Sequence, residues 1–171
     1  MAGEPLEQIV GDTLRAQHLT LAVAESCTGG LLGHRITNVA GSSDYFLGGV
    51  ISYSNAAKEQ LLGVTATTLA AYGAVSQAAA QEMAQGVRRL LGAHIGLSVT
   101  GIAGPGGGTP DKPVGLVYIG LSAEGQELSR RFVWSGSREE NKAASAQAAL
   151  DLLAEYLACF TAETQRAQKS L

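Results

Sequence analysis

The side chains best suited to chemistry stand where glycine gathers. Ser26, Cys27, Thr28, Gly29 and Gly30 follow an apolar run, Thr100 and Gly101 open the segment GIAGPGGGTPDKP, and Tyr53 and Lys58 lie between the two. A serine hydroxyl is a poor nucleophile near neutral pH until a base takes its proton. His18, His34 and His94 form no local motif that would supply that base. A deprotonated lysine can serve instead. Lys58 falls in the first turn of a helix expected to start near Ser54, where the helix dipole opposes an ammonium ion and burial would oppose it further. Tyr53, just ahead of that helix, can relay a proton or hold the lysine. The N–H groups of Thr28, Gly29 and Gly30 can hold an oxyanion or a phosphate, as can those of the second glycine segment. Spacing leaves plainer roles open: Ser26 or Thr28 as a helix cap, Lys58 and Arg138 as surface residues in water.

Cys27 is the rival nucleophile, with His34 further along the same helix. Adjacent side chains of an extended chain point to opposite faces, so a crevice-facing Ser26 sends Cys27 into the core. The histidines share no ligand spacing with one another or with Asp and Glu, so no metal site is expected. The segment from Gly101 lacks both the GxxxxGK[ST] order of a phosphate loop and a GxGxxG opening a helix. Arg138, at the start of the last helix, can pair bidentately with a phosphate.

Elements must bring these residues together. Residues 4–17 repeat apolar side chains at helical spacing, 19–24 read as a buried strand, and the paired glycines that follow mark a strand-to-helix turn. A strand over 46–53 carries a double glycine that predicts a bulge. Short helices capped by Ser54 or Asn55 and by Thr65 end at Gly63 and Gly73, and a longer one starts at Ser76. Residues 95–100 form a third strand, 114–122 and 128–134 a hairpin turning at Glu124-Gly125, and Ser137 with Glu140 a capping box for a closing helix through Phe160. The alternation predicts a three-layer α/β/α sandwich with a mixed sheet, one domain over 1–160 and a fraying polar tail over 161–171.

Composition narrows the partners. Twelve Lys and Arg against fifteen Asp and Glu give a net charge of −3, which leaves no basic surplus for nucleic acid. Two cysteines suit a reducing compartment, and no apolar run reaches membrane-spanning length, so a cytoplasmic protein without membrane partners is expected.

The segments AESCTGG (24–30), GSSDYFLGGVISYSNAAKEQLLGV (41–64), GAVS (73–76) and TGIAGPGGGTPDKPVG (100–115) together resemble the CinA C-terminal domain family, known as nicotinamide-nucleotide amidases. The resemblance runs from about residue 5 to residue 158. It implies that Ser26, Tyr53 and Lys58 act together to hydrolyse nicotinamide mononucleotide to nicotinate mononucleotide and ammonia, in pyridine nucleotide recycling, with no metal or organic cofactor. It also implies self-association into a homo-oligomer. The family often has Gly-Asp-Arg where this chain has Gly136, Ser137 and Arg138. Longer members carry an extra N-terminal domain associated with metal-dependent nucleotide pyrophosphate cleavage; 171 residues leave no room for it, and that activity is not carried over. The competing readings are a non-catalytic nucleotide- or partner-binding module linked to competence or DNA damage, and a cysteine hydrolase using Cys27.

Overall fold

The computed structural model describes residues 3–169, apart from the side chains at 163–165 and 167–169. Helix α1 (Leu6–Ala16) leads into strand β1 (Leu21–Glu25), helix α2 (Leu31–Thr37), a 3₁₀ turn (Ser42–Asp44) and strand β2 (Phe46–Ile51). Helices α3 (Asn55–Leu62), α4 (Ala66–Tyr72) and α5 (Gln77–Leu91) precede strands β3 (Ile95–Gly101), β4 (Leu116–Ala123) and β5 (Gln126–Val133), and helix α6 (Arg138–Lys169) closes the chain.

The five strands are ordered β2-β1-β3-β4-β5, with β1 parallel to β2 and β3, and β4 antiparallel to both its neighbours. The chain leaves β1 for β2 on one side and later returns to β3 on the other. Crossovers of one hand running in opposite directions put their helices on opposite faces. Accordingly Leu21, Val23 and Cys27 pack into a core shared with α1, α2 and α6, while Ala22 and Ala24 face a second core built by α3 and α5. The mixed three-layer sandwich expected from the sequence is what forms.

Local chemistry explains the element ends. Ser54, Thr65 and Ser76 each accept a bond from the N–H three residues on, at 3.1 Å in every case, and Gly63, Gly73 and Gly92 follow the last residues of their helices. The expected bulge sits beside the double glycine: Leu21 pairs with Phe46 but Ala22 with Gly48. The capping box is reciprocal, with Ser137 N–H donating to Glu140 at 2.7 Å and Glu140 N–H to Ser137 Oγ at 3.3 Å. Ser137 therefore caps α6 with its hydroxyl.

Two close approaches fix α5. A methyl group on Gly96 of β3 would strike the Ala84 carbonyl of α5, and one on Gly86 of α5 would strike the Leu62 carbonyl at the end of α3. The absent side chains let α5 lie directly on the sheet and α3 directly on α5. Helix α6 continues to Lys169, over most of the segment expected as a polar tail, because TAETQRAQK holds good helix formers and neither glycine nor proline to stop it; residues 170–171 lie outside the described residues.

Candidate active site

In an open α/β sheet the ligand crevice lies outside the carboxyl ends of the parallel strands, where the connections diverge. Glu25 is level with Ile51 on β2 and with Val99 on β3, so Ser52, Ser26 and Thr100 form the next row across all three strands. Ser26 continues the face of Ala22 and Ala24, toward α3 and α5. Here Lys58, the fourth residue of α3, reaches down: its Nζ lies 3.1 Å from Ser26 Oγ and 2.7 Å from the Ser52 carbonyl oxygen. Lys58 is 1% exposed and forms no ion pair among the described residues. Burial holds its pKa below the usual lysine value.

Ser26, Tyr53, Lys58, Thr100, Gly101 and Arg138 line one cavity of about 280 Å³, with Cys27, Asn55, Ala74, Val75 and the Ile102–Gly104 and Gly106–Gly107 segments. In a chain of net charge −3 this lining holds the Arg138 guanidinium and no carboxylate, which favours an anionic ligand. Thr100 Oγ1 donates to the Ala74 carbonyl at 2.8 Å and so fixes the wall above Ser26. Arg138 spans the mouth, donating to the Gly104 carbonyl at 2.7 Å and to Tyr53 Oη at 3.1 Å.

Three expected binding residues do not join them. Thr28 is 1% exposed, and neither it nor Gly29 nor Gly30 lines the cavity. The Gly29 N–H donates to the Ser26 carbonyl at 3.1 Å and the Gly30 N–H to Glu25 Oε2 at 3.0 Å. The buried Glu25 carboxylate also accepts from Leu32 and Gly33, at 3.1 and 2.8 Å, and so caps α2 from within the molecule. An incoming oxyanion or phosphate finds the two glycine donors spent. Sequence reasoning missed Glu25; its signal was an acidic residue on a buried strand just ahead of a helix start.

Tyr53 is 63% exposed, and its hydroxyl meets Arg138, not Lys58 or Ser26. Of the two expected proton routes, the direct one is the one in contact. Cys27 borders the cavity but packs into the α6-side core, where desolvation pushes its thiol pKa up to about 11. A larger cavity of about 450 Å³ opens at the other end of the sheet beside Cys159 and His94. There His94 Nδ1 is engaged by the Thr20 N–H at 3.0 Å. No group of three or more His, Cys, Asp or Glu converges among the described residues.

A profile of the CinA C-terminal domain matches residues 3–157. The chain belongs to this family. It is 59% identical over 150 residues to a Moorella thermoacetica protein named for competence and damage induction, covering 88% of this chain and 36% of that one. With a CinA-like protein of Salinibacter ruber it shares 53% identity over 146 residues, covering 85% and 35%. It thus spans about a third of the length of these curated relatives. A Klebsiella pneumoniae structure titled as a competence-damaged protein of the CinA superfamily superposes with a TM-score of 0.86 at 37% identity, covering 90% of this chain and 96% of that one. No helix among the described residues is long and apolar enough to cross a membrane.

Proposed function

We propose that this CinA-family domain is a serine amidase that converts nicotinamide mononucleotide to nicotinate mononucleotide and ammonia. The observation that carries the reading is Lys58: a buried amine without a carboxylate partner, within hydrogen-bond reach of a serine at the crevice edge. A neutral amine fits this setting. One N–H donates to the Ser52 carbonyl, and the lone pair faces the Ser26 hydroxyl. An ammonium ion would carry a charge that no carboxylate among the described residues compensates.

Ser26 Oγ attacks the carboxamide carbon as its proton passes to Lys58. The tetrahedral intermediate collapses by breaking its C–N bond, and Lys58 returns the proton to the departing nitrogen, releasing ammonia. Water then adds to the Ser26 ester; Lys58 takes its proton and delivers it to Ser26 Oγ as the C–O bond breaks. The products are the carboxylic acid and free serine. The pyridinium charge of the substrate makes its carboxamide carbon more electrophilic, which suits a site with one buried amine as base. Arg138, at the mouth, supplies the charge for the phosphate.

Purified protein incubated with nicotinamide mononucleotide releases ammonia and the acid in equal amounts, measured by coupled assay and mass spectrometry. No ammonia above the enzyme-free control would leave the cavity as a binding site and overturn the reading.

A further inference from the structure

The second glycine segment has unspent donors. The N–H groups of Ala103, Gly104, Gly106 and Gly107 have no acceptor among the described residues, and all four residues line the Ser26 cavity. Pro105 carries no N–H and divides these donors into two sets. Only the first set is anchored from behind.

The anchor is Asn141, on α6 and 1% exposed. Its Nδ2 donates to the Ala103 carbonyl at 3.0 Å while its Oδ1 accepts from the Gly136 N–H at 3.0 Å, so the amide is fixed at both ends. The Gly115 N–H likewise holds the Ile102 carbonyl at 2.7 Å. The peptide bonds after Ile102 and Ala103 are trans, and a trans peptide points its N–H opposite to its carbonyl. The Ala103 and Gly104 N–H groups are therefore turned away from the partners that hold those carbonyls. Fixed, neutral donors with no other use are what a developing oxyanion requires, because they need no reorganisation as charge appears.

We propose that Asn141 is a positioning residue for the Ser26 reaction: by holding the Ala103 carbonyl it sets the Ala103–Gly104 peptide plane so that the Gly104 N–H, with that of Ala103, donates to the tetrahedral oxyanion. The inference rests on the acyl-transfer reading of Ser26, and its test separates the two. Asn141→Asp keeps the size and the acceptor for Gly136 but loses the donor; Asn141→Ala removes both. In either variant that folds, kcat falls about 10- to 100-fold with KM within about threefold. Affinity for phenylboronic acid, which adds to a serine as a tetrahedral anion, falls by a similar factor, while affinity for nicotinate mononucleotide holds. In the unmodified chain, the Gly104 amide proton resonance moves downfield as the boronate adduct forms. An unmoved Gly104 resonance in the adduct, or a variant in which kcat and boronate affinity stay within about twofold of the parent, overturns the assignment. Equal losses in product affinity and kcat would do the same, since general loosening affects both. Absence of ammonia release by the parent chain would instead overturn the amidase reading and leave the boronate and resonance measurements to decide the role of Asn141.

Discussion

The two glycine-rich turns beside the cavity look alike in composition and differ in what their backbone is free to do. The turn at residues 26–30 contributes the hydroxyl of Ser26, but its glycine N–H groups are already bonded to the Ser26 carbonyl and the Glu25 carboxylate. In the segment from Gly101 the carbonyls of Ala103 and Gly104 are held from outside, while the N–H groups of Ala103, Gly104, Gly106 and Gly107 are unspent. Glycine content marks where the chain can come close to a ligand. Which groups are left unbonded decides what that closeness is for.

The comparison breaks outright if the first turn is not the source of the nucleophile. Ser26→Ala lowers ammonia release about 1,000-fold or more, to near background, with little loss of folding stability, since among the described residues the hydroxyl bonds only Lys58. Retained turnover would move the chemistry elsewhere.

Lys58→Arg fails comparably, because a guanidinium stays protonated. Lys58→Met also fails, yet it raises the unfolding midpoint by about 3 °C, as an uncompensated buried amine gives way to an apolar chain worth about 1 kcal/mol. The pH dependence follows from the lowered pKa. Between the folded value and the higher unfolded one, the unfolded chain binds the extra proton, so the stability of the parent rises with pH through that window. Its deficit against Lys58→Met shrinks over the same range in denaturant titrations. The rising limb of kcat/KM, which reports the free enzyme, lies below the usual lysine range.

The difference between the turns is sharpened by one substitution in each. Gly104 has φ +88° and an added methyl would meet Val114 at 2.6 Å, so Gly104→Ala displaces the donors and lowers kcat about 10- to 100-fold. Gly29 has φ +62° with only Lys142 Nζ near, at 3.8 Å; Gly29→Ala costs about 1–2 kcal/mol of stability and leaves kcat within about threefold. Equal kinetic losses would erase the distinction. The smallest effect belongs to Cys27→Ala, expected within about twofold of parental activity, with slow alkylation of the native thiol below pH 9.

Elements were legible because their signals are local. Ser54, Thr65 and Ser76 bond N–H groups three residues away, and such caps are visible in any short window of sequence. The relation of Ser26 to Lys58 was not: thirty-two positions separate them, and spacing alone left a cap and a surface lysine open until the family resemblance linked them. Arg138 meeting Tyr53 and Asn141 meeting Ala103 depend on α6 crossing particular strand ends, which no local pattern reports. The inward cap by Glu25 is local, and its signal lay in an acidic residue on a buried strand just ahead of a helix start. The polar tail shows a helical backbone as far as Lys169, in keeping with residues that favour helix.

The glycines at 86 and 96 act as shims set to zero thickness. Lys58 lies one turn ahead of Leu62, whose carbonyl sits against Gly86, and Gly96 seats the same helix on β3. Any side chain at either position would wedge the stack apart and lift the amine from the hydroxyl. The reach between base and nucleophile is thus gauged from behind the cavity, by two residues that never touch it.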